Sequence, residues 1–450
     1  MMLSAATAVH GVNSTISWSE WMYLSGRRRA WSVVVMVFLF MLVNYADKAV
    51  VGLSSVPIMR DLGLSHTQFG ELGSAFFLLF SLSGVVVGFM ANRARTKTLM
   101  LGMALLWTCA LLPLSWVSSF NLLLLSRVVL GAAEGPAFPV AIHAVYKWFA
   151  DPERAVPTSV VASGAAVGTG VVAPLITWII VHFGWRNAFG VLGVTGLAWA
   201  ILWSLVAAEG PLDRLEAPGP GGPWHVPYRR LLFCRTAMGV FLAGFAAYWV
   251  IALNITWLAG YLIKALHIAP LGAAWIIGLP SVIQIILAPG LGLLSEYLTR
   301  RGLSSRVARG RLGALCVVAA GVSMICMVLL EMGVLKVILI GLSFSIGSVI
   351  FTLGPTLIGE ITPPTQRGAM LGITNSIHTL AGLCAPVVMG LIVDSGASVE
   401  AGFRSGYLYA GGLVGALGLL AGALIDPESD LARFRRDRYG AGSSLSTTAN

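Results

Sequence analysis

Long apolar stretches separated by short polar breaks run along almost the whole chain. A helix needs about 20 mostly apolar residues to cross the hydrocarbon core of a bilayer, where no water satisfies backbone polar groups. The pattern predicts an all-α integral membrane protein with twelve transmembrane helices in two six-helix halves. Their approximate extents are 31–51, 67–91, 97–117, 120–146, 155–181, 185–208, 235–263, 270–296, 311–331, 335–360, 367–393 and 403–425.

One break in the middle of the chain is longer than the others and is rich in proline and glycine from Pro211 to Pro223. Closely spaced prolines do not continue a helix, so this segment is predicted to be a linker between the halves. The polar ends of the second and eighth stretches also resemble each other, as in a transporter built from repeats with its substrate near the midplane. The predicted divisions are an N-terminal tail 1–30, a first half 31–208, a linker 209–233, a second half 234–425 and a C-terminal tail 426–450.

Composition excludes several classes of function. Hydrophobic residues make up 57% of the chain and charged residues 11%, with a mean hydropathy of +0.84. Soluble domains carry about 25% charged residues, so most of this chain is predicted to lie in lipid. The five cysteines and seven histidines are scattered without metal-ligand spacing. We therefore expect no metal, no cofactor and no enzymatic activity.

The basic residues predict the orientation of the chain in the membrane. The net charge is +10, but Lys and Arg lie in short clusters between apolar spans, which argues against nucleic acid as a partner. With both termini in the cytoplasm, 22 of these residues fall in inner segments and 5 in outer segments. The first 26 residues contain no Lys or Arg and so lack the start of a secretory signal. We expect a multi-pass protein of the cell inner (plasma) membrane.

Four ionisable residues fall inside predicted spans: Asp47 and Lys48 in the first, Arg127 and Glu134 in the fourth. A charge at the bilayer centre costs at least about 2.5–3.5 kcal/mol, so each should be paired, hydrated or functional. One hypothesis is that they form structural ion pairs. The other is that the acids exchange protons while Lys48, about 100° around the helix from Asp47, binds a substrate carboxylate.

Other polar residues at membrane depth give weaker signals. His378 lies in the eleventh span beside Asn375 and Thr379, and is either a hydrogen-bonded core residue or a proton carrier. Asn254 and Trp257 in the seventh span either line a cavity or bridge helices.

Several segments together resemble the anion:cation symporter family of the major facilitator superfamily. These segments are Asn44-Tyr45-Ala46-Asp47-Lys48, 74–77, 127–139, 148–154, 184–189, 360–368 and 375–377. The resemblance implies a carrier of organic anions, such as sugar acids or other carboxylates, moved inward with protons by alternating access. It implies that Asp47 and Glu134 carry protons, that Arg127 is their switching partner, and that Lys48 and Tyr45 contact substrate.

The chain departs from this family at positions that bear on the substrate. Lys48 stands where members usually have Arg, Phe80 where members that carry sugar acids have Tyr, Gly84 where they have Gln, and Thr379 where they have Asn. Asn92 replaces an Asp of the superfamily. An ammonium lacks the two-pronged grip of a guanidinium. Loss of hydroxyl and amide groups favours a less hydroxylated anion: an aromatic, short aliphatic or sulfonated acid.

We expect the protein to work as a monomer in the lipid bilayer, with a small organic anion and protons as its partners. Residues expected to line the substrate site are Lys48, Tyr45, Phe80, Asn254, Trp257, Asn375, His378 and Thr379. The alternative is a drug or metabolite efflux antiporter of the same fold, whose cavity would more often carry acids without a neighbouring Lys48.

Overall fold

The structure, a computed structural model, describes residues 18–91, 94–116, 119–149, 155–211, 226–363 and 366–443. These residues form helices, and no β-strand occurs among them. Several expectations fall outside the described residues: most of the N-terminal tail (1–17), Asn92, the motif residues 150–154, most of the linker (212–225) and the end of the C-terminal tail (444–450).

Twelve helices within the described residues are long and apolar enough to cross a membrane, and we number them span 1 to span 12. Each corresponds to one predicted stretch, with ends that differ by a few residues, so the predicted fold class is confirmed. Their bounds are Arg27–Leu53, His66–Val87, Thr96–Ser115, Phe120–Tyr146, Val160–Phe183, Trp185–Val206, Arg235–Ala265, Pro270–Arg300, Arg306–Leu329, Val334–Ile361, Gly368–Asp394 and Val399–Leu424.

Shorter helical segments extend or connect the spans. The helix of span 1 starts at Trp18, and the short helix Ser55–Leu62 follows it. Tyr228–Leu232 forms a helix within the predicted linker, and Pro427–Ser443 follows span 12. We call the end of the bundle that holds the linker and both terminal segments the linker end. The opposite end, where Ser55–Leu62 lies, is called the closed end.

Span 4 is interrupted directly after Glu134. Its two helices are Phe120–Glu134 and Ala137–Tyr146, separated by Gly135-Pro136. Proline lacks a backbone N–H and its ring clashes with the carbonyl four residues earlier, which breaks the regular ladder. Glu134 is therefore the last residue of a helical segment in the middle of the bundle.

The same pattern of helix pairs occurs in both halves. Spans 1 and 5, 2 and 4, and 3 and 6 pack together in the first half, as do spans 7 and 11, 8 and 10, and 9 and 12 in the second. The halves meet where span 2 packs on span 11, span 5 on span 8, and span 1 on span 7. A site on spans 1, 2 and 4 therefore faces spans 7 and 11 of the other half.

Two glycines of span 4 allow a close approach of span 2. A Cβ atom at Gly131 would overlap the carbonyl oxygen of Phe76, and one at Gly135 would overlap that of Phe80. Larger side chains would push the two helices apart. The glycines therefore bring the phenylalanines of span 2 close to Glu134.

At the closed end, Asp394 joins the halves. At the end of span 11, its carboxylate accepts hydrogen bonds from the first residues of span 2: the backbone N–H of His66 at 3.1 Å, and the N–H and hydroxyl of Thr67 at 2.7 and 2.6 Å. The Nδ1 atom of His66 lies 2.8 Å from the same carboxylate. Asp394 thus caps a helix of the other half, where a negative charge is favourable.

Asp61 connects the short helix after span 1 to the start of span 6. Its carboxylate accepts hydrogen bonds from Trp185 Nε1 at 3.0 Å and from the Arg186 guanidinium at 3.1 Å. The hydrogen bond from Trp185, and then the contact with Arg186, hold the pKa of Asp61 below its usual value of 3.8. This contact gives a structural role to two residues of the Gly184–Phe189 segment.

Candidate functional site

The four ionisable residues predicted at membrane depth meet inside the first half, and we call them the charge cluster. Asp47, Lys48, Arg127 and Glu134 are each at most 6% exposed. Two acids and two bases can balance each other, which reduces the large cost of burying each charge alone. Asp47 and Lys48 lie in the second half of span 1, and Arg127 and Glu134 lie in span 4 before its interruption.

Lys48 is paired with Glu134. Its Nζ atom lies 3.3 Å from Glu134 Oε2 and donates a hydrogen bond to Asn44 Oδ1 at 2.7 Å. Asn44 is one turn earlier in the same helix, so it holds the ammonium in place. The sequence hypotheses considered Lys48 beside Asp47 and did not connect it to Glu134.

Asp47 and Arg127 complete the cluster. Asp47 interacts electrostatically with Arg127 and lies beside Glu134. Both carboxylate oxygens of Asp47, and Nε and Nη1 of Arg127, lack hydrogen-bond partners among the described residues, whereas the Glu134 carboxylate contacts a cation there through its ion pair with Lys48. Unpartnered buried polar atoms are costly, so these atoms retain unused capacity to bind a proton or a polar group.

Aromatic rings surround the two cations of the cluster. Lys48 Nζ lies 4.2 Å from the ring centre of Tyr45 and 5.4 Å from that of Phe80. The Arg127 guanidinium lies 4.5 Å from the ring centre of Phe76. Cation–π contacts of this kind attract a cation to the face of an aromatic ring. Tyr45 and Phe80 are half-buried, whereas Lys48 is buried.

Two aromatic residues of the second half belong to this region and were missed in the sequence. Tyr248 of span 7 contacts Phe77 with ring centres 5.7 Å apart, and Phe351 of span 10 contacts Tyr248 at 6.2 Å. Tyr248 also lies within electrostatic range of Tyr45 and Glu134. The hydroxyl of Tyr248 within an apolar span was the available sign of a functional residue. Only the packing of the helices shows which span the tyrosine faces.

The three predicted site residues of span 11 have different surroundings. His378 is buried, and its Nε2 atom lies 3.2 Å from the backbone oxygen of Val240 in span 7. Thr379 hydrogen-bonds to Ser81 of span 2 and donates to the backbone oxygen of Ser376 at 2.9 Å. Asn375 is exposed. His378 and Thr379 therefore bridge helices.

The two predicted residues of span 7 have different surroundings. Asn254 is half-buried. Trp257 is buried toward the closed end, where Nε1 donates to the backbone oxygen of Pro386 at 2.9 Å and its ring contacts Phe69 and Phe403. Trp257 thus belongs to the contact between the halves. Among the described residues, no three His, Cys, Asp or Glu side chains are grouped to hold a metal.

Comparison with known proteins supports the family suggested by the motifs. Residues 34–347 and 240–447 match the sequence model of the Major Facilitator Superfamily. The chain belongs to this superfamily. The fold agrees: a bacterial homolog of the human lysosomal transporter Spinster, in an inward-facing and occupied conformation, aligns with a TM-score of 0.73 and 18% identity over 87% of this chain and 97% of that chain.

Two relatives within the superfamily match most of the chain. The "Probable sulfoacetate transporter SauU" of Cupriavidus necator is 27% identical and covers 86% of this chain and 91% of its own length. The "Probable galactarate/D-glucarate transporter GudP" of Bacillus subtilis is 25% identical and covers 81% of this chain and 86% of its own length. The similarity therefore extends over both halves.

Proposed function

We propose that the protein imports a small organic anion, a carboxylate or a sulfonated acid, together with protons by alternating access. Membership of the Major Facilitator Superfamily and the names of the two relatives support an organic anion as the substrate. The observation of this chain that carries the proposal is the buried ammonium of Lys48 bound to Glu134 beside Asp47.

The Lys48–Glu134 pair offers a physical route to coupling. A substrate anion that binds Lys48 Nζ competes with Glu134, whose Oε2 lies 3.3 Å from the same atom. A buried carboxylate without a cation beside it binds a proton more readily. Anion binding at Lys48 and proton binding at Glu134 therefore favour each other. Asp47 is the second acid, and Arg127 is the base that interacts with both acids.

Alternating access requires the contacts at the closed end to open in one stage of the cycle. We propose that both termini and the linker are cytoplasmic. The closed end then lies at the non-cytoplasmic face of the inner membrane. Opening then requires release of the start of span 2 from Asp394. We further propose that a monomer completes this cycle, because the charge cluster is formed within one chain.

The test of proton coupling is uptake by purified protein in proteoliposomes. The probes are labelled D-galactonate, galactarate, sulfoacetate and phenylacetate, with the external solution more acidic than the interior. We expect at least one probe to accumulate above its external concentration and above its level in protein-free liposomes, which correct for passive entry of the uncharged acid. A protonophore should abolish this excess. An efflux antiporter of the same fold would instead expel its substrate under this gradient.

Variants of the charge cluster distinguish coupling from folding. Glu134→Gln and Asp47→Asn should abolish pH-driven accumulation and retain exchange of substrate between the two sides. Glu71→Gln is the matched control, because Glu71 is an exposed acid of span 2 and should leave accumulation unchanged. Full pH-driven accumulation by both cluster variants would refute proton coupling through these acids.

A further inference from the structure

A chain of aromatic side chains crosses the boundary between the two halves beside Lys48, and we call it the aromatic band. Its members are Phe80 and Phe77 of span 2, Tyr248 of span 7 and Phe351 of span 10. Successive ring centres lie 5.9, 5.7 and 6.2 Å apart. Edge-to-face contacts at these distances stabilise aromatic groups.

Part of the aromatic band remains accessible in the middle of the spans. Phe80, Tyr248 and Phe351 are half-buried, whereas Phe77 is only 5% exposed. Lys48 Nζ lies 5.4 Å from the ring centre of Phe80, at the edge of the band. The site therefore combines one cation with partly exposed aromatic surface from both halves.

Several polar groups around this surface already have protein partners. Ser81 and Thr379 hydrogen-bond to each other, and Thr379 also donates to the Ser376 carbonyl. Asn44 Oδ1 accepts from Lys48, and His378 Nε2 lies 3.2 Å from the Val240 carbonyl. A polyhydroxylated ligand would have to replace these contacts, whereas an apolar ligand body leaves them intact.

The charges of the site also limit the number of negative charges that a ligand can carry. Arg127 lies over Phe76 and interacts with Asp47, so Lys48 is the cation placed beside the aromatic band. One ammonium balances one carboxylate, and a second anionic group would lie near the carboxylates of Asp47 and Glu134, which repel it. A ligand with a single negative charge therefore fits best.

We propose that the substrate is a monocarboxylate with a flat, apolar aromatic body. Its carboxylate binds Lys48 Nζ, and its ring contacts Phe80 and Tyr248 of the aromatic band. This inference rests on the proposed function for the direction of transport and for proton coupling. It narrows the substrate class from organic anions in general to aryl and arylalkyl carboxylates.

The test compares equilibrium binding of phenylacetate, D-galactonate, galactarate and sulfoacetate to the purified full chain by calorimetry. We expect phenylacetate to bind at least tenfold more tightly than the other three. Tighter binding of any of those three, or no binding of phenylacetate, would overturn the assigned class. Phenylacetate binding without pH-driven uptake would keep this class and refute proton-coupled import. pH-driven uptake of galactarate that phenylacetate does not inhibit would support proton-coupled import and refute the aromatic substrate class.

Substitutions in the aromatic band test the position of the ring. Tyr248→Leu should weaken phenylacetate binding at least fivefold, and Tyr248→Phe should preserve it. Tyr409→Leu is the matched control, because Tyr409 is an exposed tyrosine of span 12, 51% accessible. If Tyr248→Leu does not fold, as judged by thermal unfolding, Phe351→Leu provides the same test. Unchanged affinity for phenylacetate in a folded Tyr248→Leu or Phe351→Leu protein would show that the aromatic band is not part of the binding site.

Discussion

At the scale of single residues, the ion pair between Lys48 and Glu134 determines how the charge cluster can work. An ammonium is a compact point charge that can pass from one acceptor to another, whereas a guanidinium holds a carboxylate through two parallel hydrogen bonds. Lys48 is already held by Glu134 and Asn44. A substrate that binds Lys48, as we propose, therefore displaces at least one of these contacts.

Replacing Lys48 should weaken anion binding more than folding. Lys48→Gln removes a charge-assisted contact worth about 1.5–3 kcal/mol, so we expect the affinity for the transported anion to fall about tenfold or more. Lys48→Arg should retain part of this affinity. The measurements are calorimetric affinity and thermal unfolding. Lys264→Gln, at an exposed lysine near the end of span 7, is the control.

A purely structural role for Lys48 gives the opposite result. Lys48→Gln would then leave Glu134 buried without its cation and lower the unfolding temperature. Adding Glu134→Gln in the same chain would restore stability, since it removes the unpaired charge. Unchanged affinity in a folded Lys48→Gln protein would exclude Lys48 from the binding site.

Asp61 gives a prediction about stability and pH. Asp61→Asn should lower stability by about 1 kcal/mol at pH 7, because it weakens the hydrogen bonds from Trp185 and Arg186. The folded-state pKa is lower than 3.8, so the contribution of the carboxylate is present above pH 3.8 and is lost as the pH falls through the folded-state value.

Thermal unfolding of wild type and Asp61→Asn in detergent at several pH values tests this sign. The difference between them should be largest at neutral pH and should shrink below about pH 4. A difference that grows on acidification would contradict the assignment. Arg186→Gln should have a smaller effect than Asp61→Asn, because it leaves the Trp185 hydrogen bond in place.

At the scale of elements, the contact between the start of span 2 and the end of span 11 holds the closed end together. The capping bonds from Asp394 add to close approaches of the helices, since a Cβ atom at Gly390 would meet the backbone of His66. The capping bonds and the close approach at Gly390 join the same two helix ends, so separation of these helices breaks all of them together. They therefore suit an end that opens as a unit.

Removing this cap should open the closed end more often. Asp394→Ala eliminates the acceptor for the first backbone N–H groups of span 2, so we expect severalfold faster hydrogen–deuterium exchange at residues 66–70. Glu400→Gln, at an exposed acid of the same end, is the control and should leave this exchange unchanged. Equal exchange in Asp394→Ala and wild type would show that the cap does not limit opening.

At the scale of the whole molecule, orientation remains a prediction from the basic residues. In a background without native cysteines, Ser304→Cys lies at the linker end and Val399→Cys at the closed end; both positions are exposed. An impermeant thiol reagent added to intact cells should label position 399 and leave 304 unlabelled until the membrane is permeabilised. Labelling of 304 alone in intact cells would reverse the topology.

Much of this architecture was predictable because its causes are local in the chain. Twelve apolar stretches predict twelve spans, since the cost of placing backbone polar groups in lipid depends on the length and composition of each segment. The burial of Asp47, Lys48, Arg127 and Glu134 could likewise be expected, and the motifs around them indicated the superfamily.

The partners of these residues depend on the tertiary structure. The pairing of Lys48 with Glu134 joins spans 1 and 4, and the contact of Tyr248 with Phe77 joins two halves. Such contacts depend on the rotation and depth of each helix relative to its neighbours, which hydropathy does not encode. The positions of Trp257 at the closed end and Thr379 against Ser81 have the same origin. The sequence by itself determined the spans and their buried charges, while packing between helices decided which side chains meet.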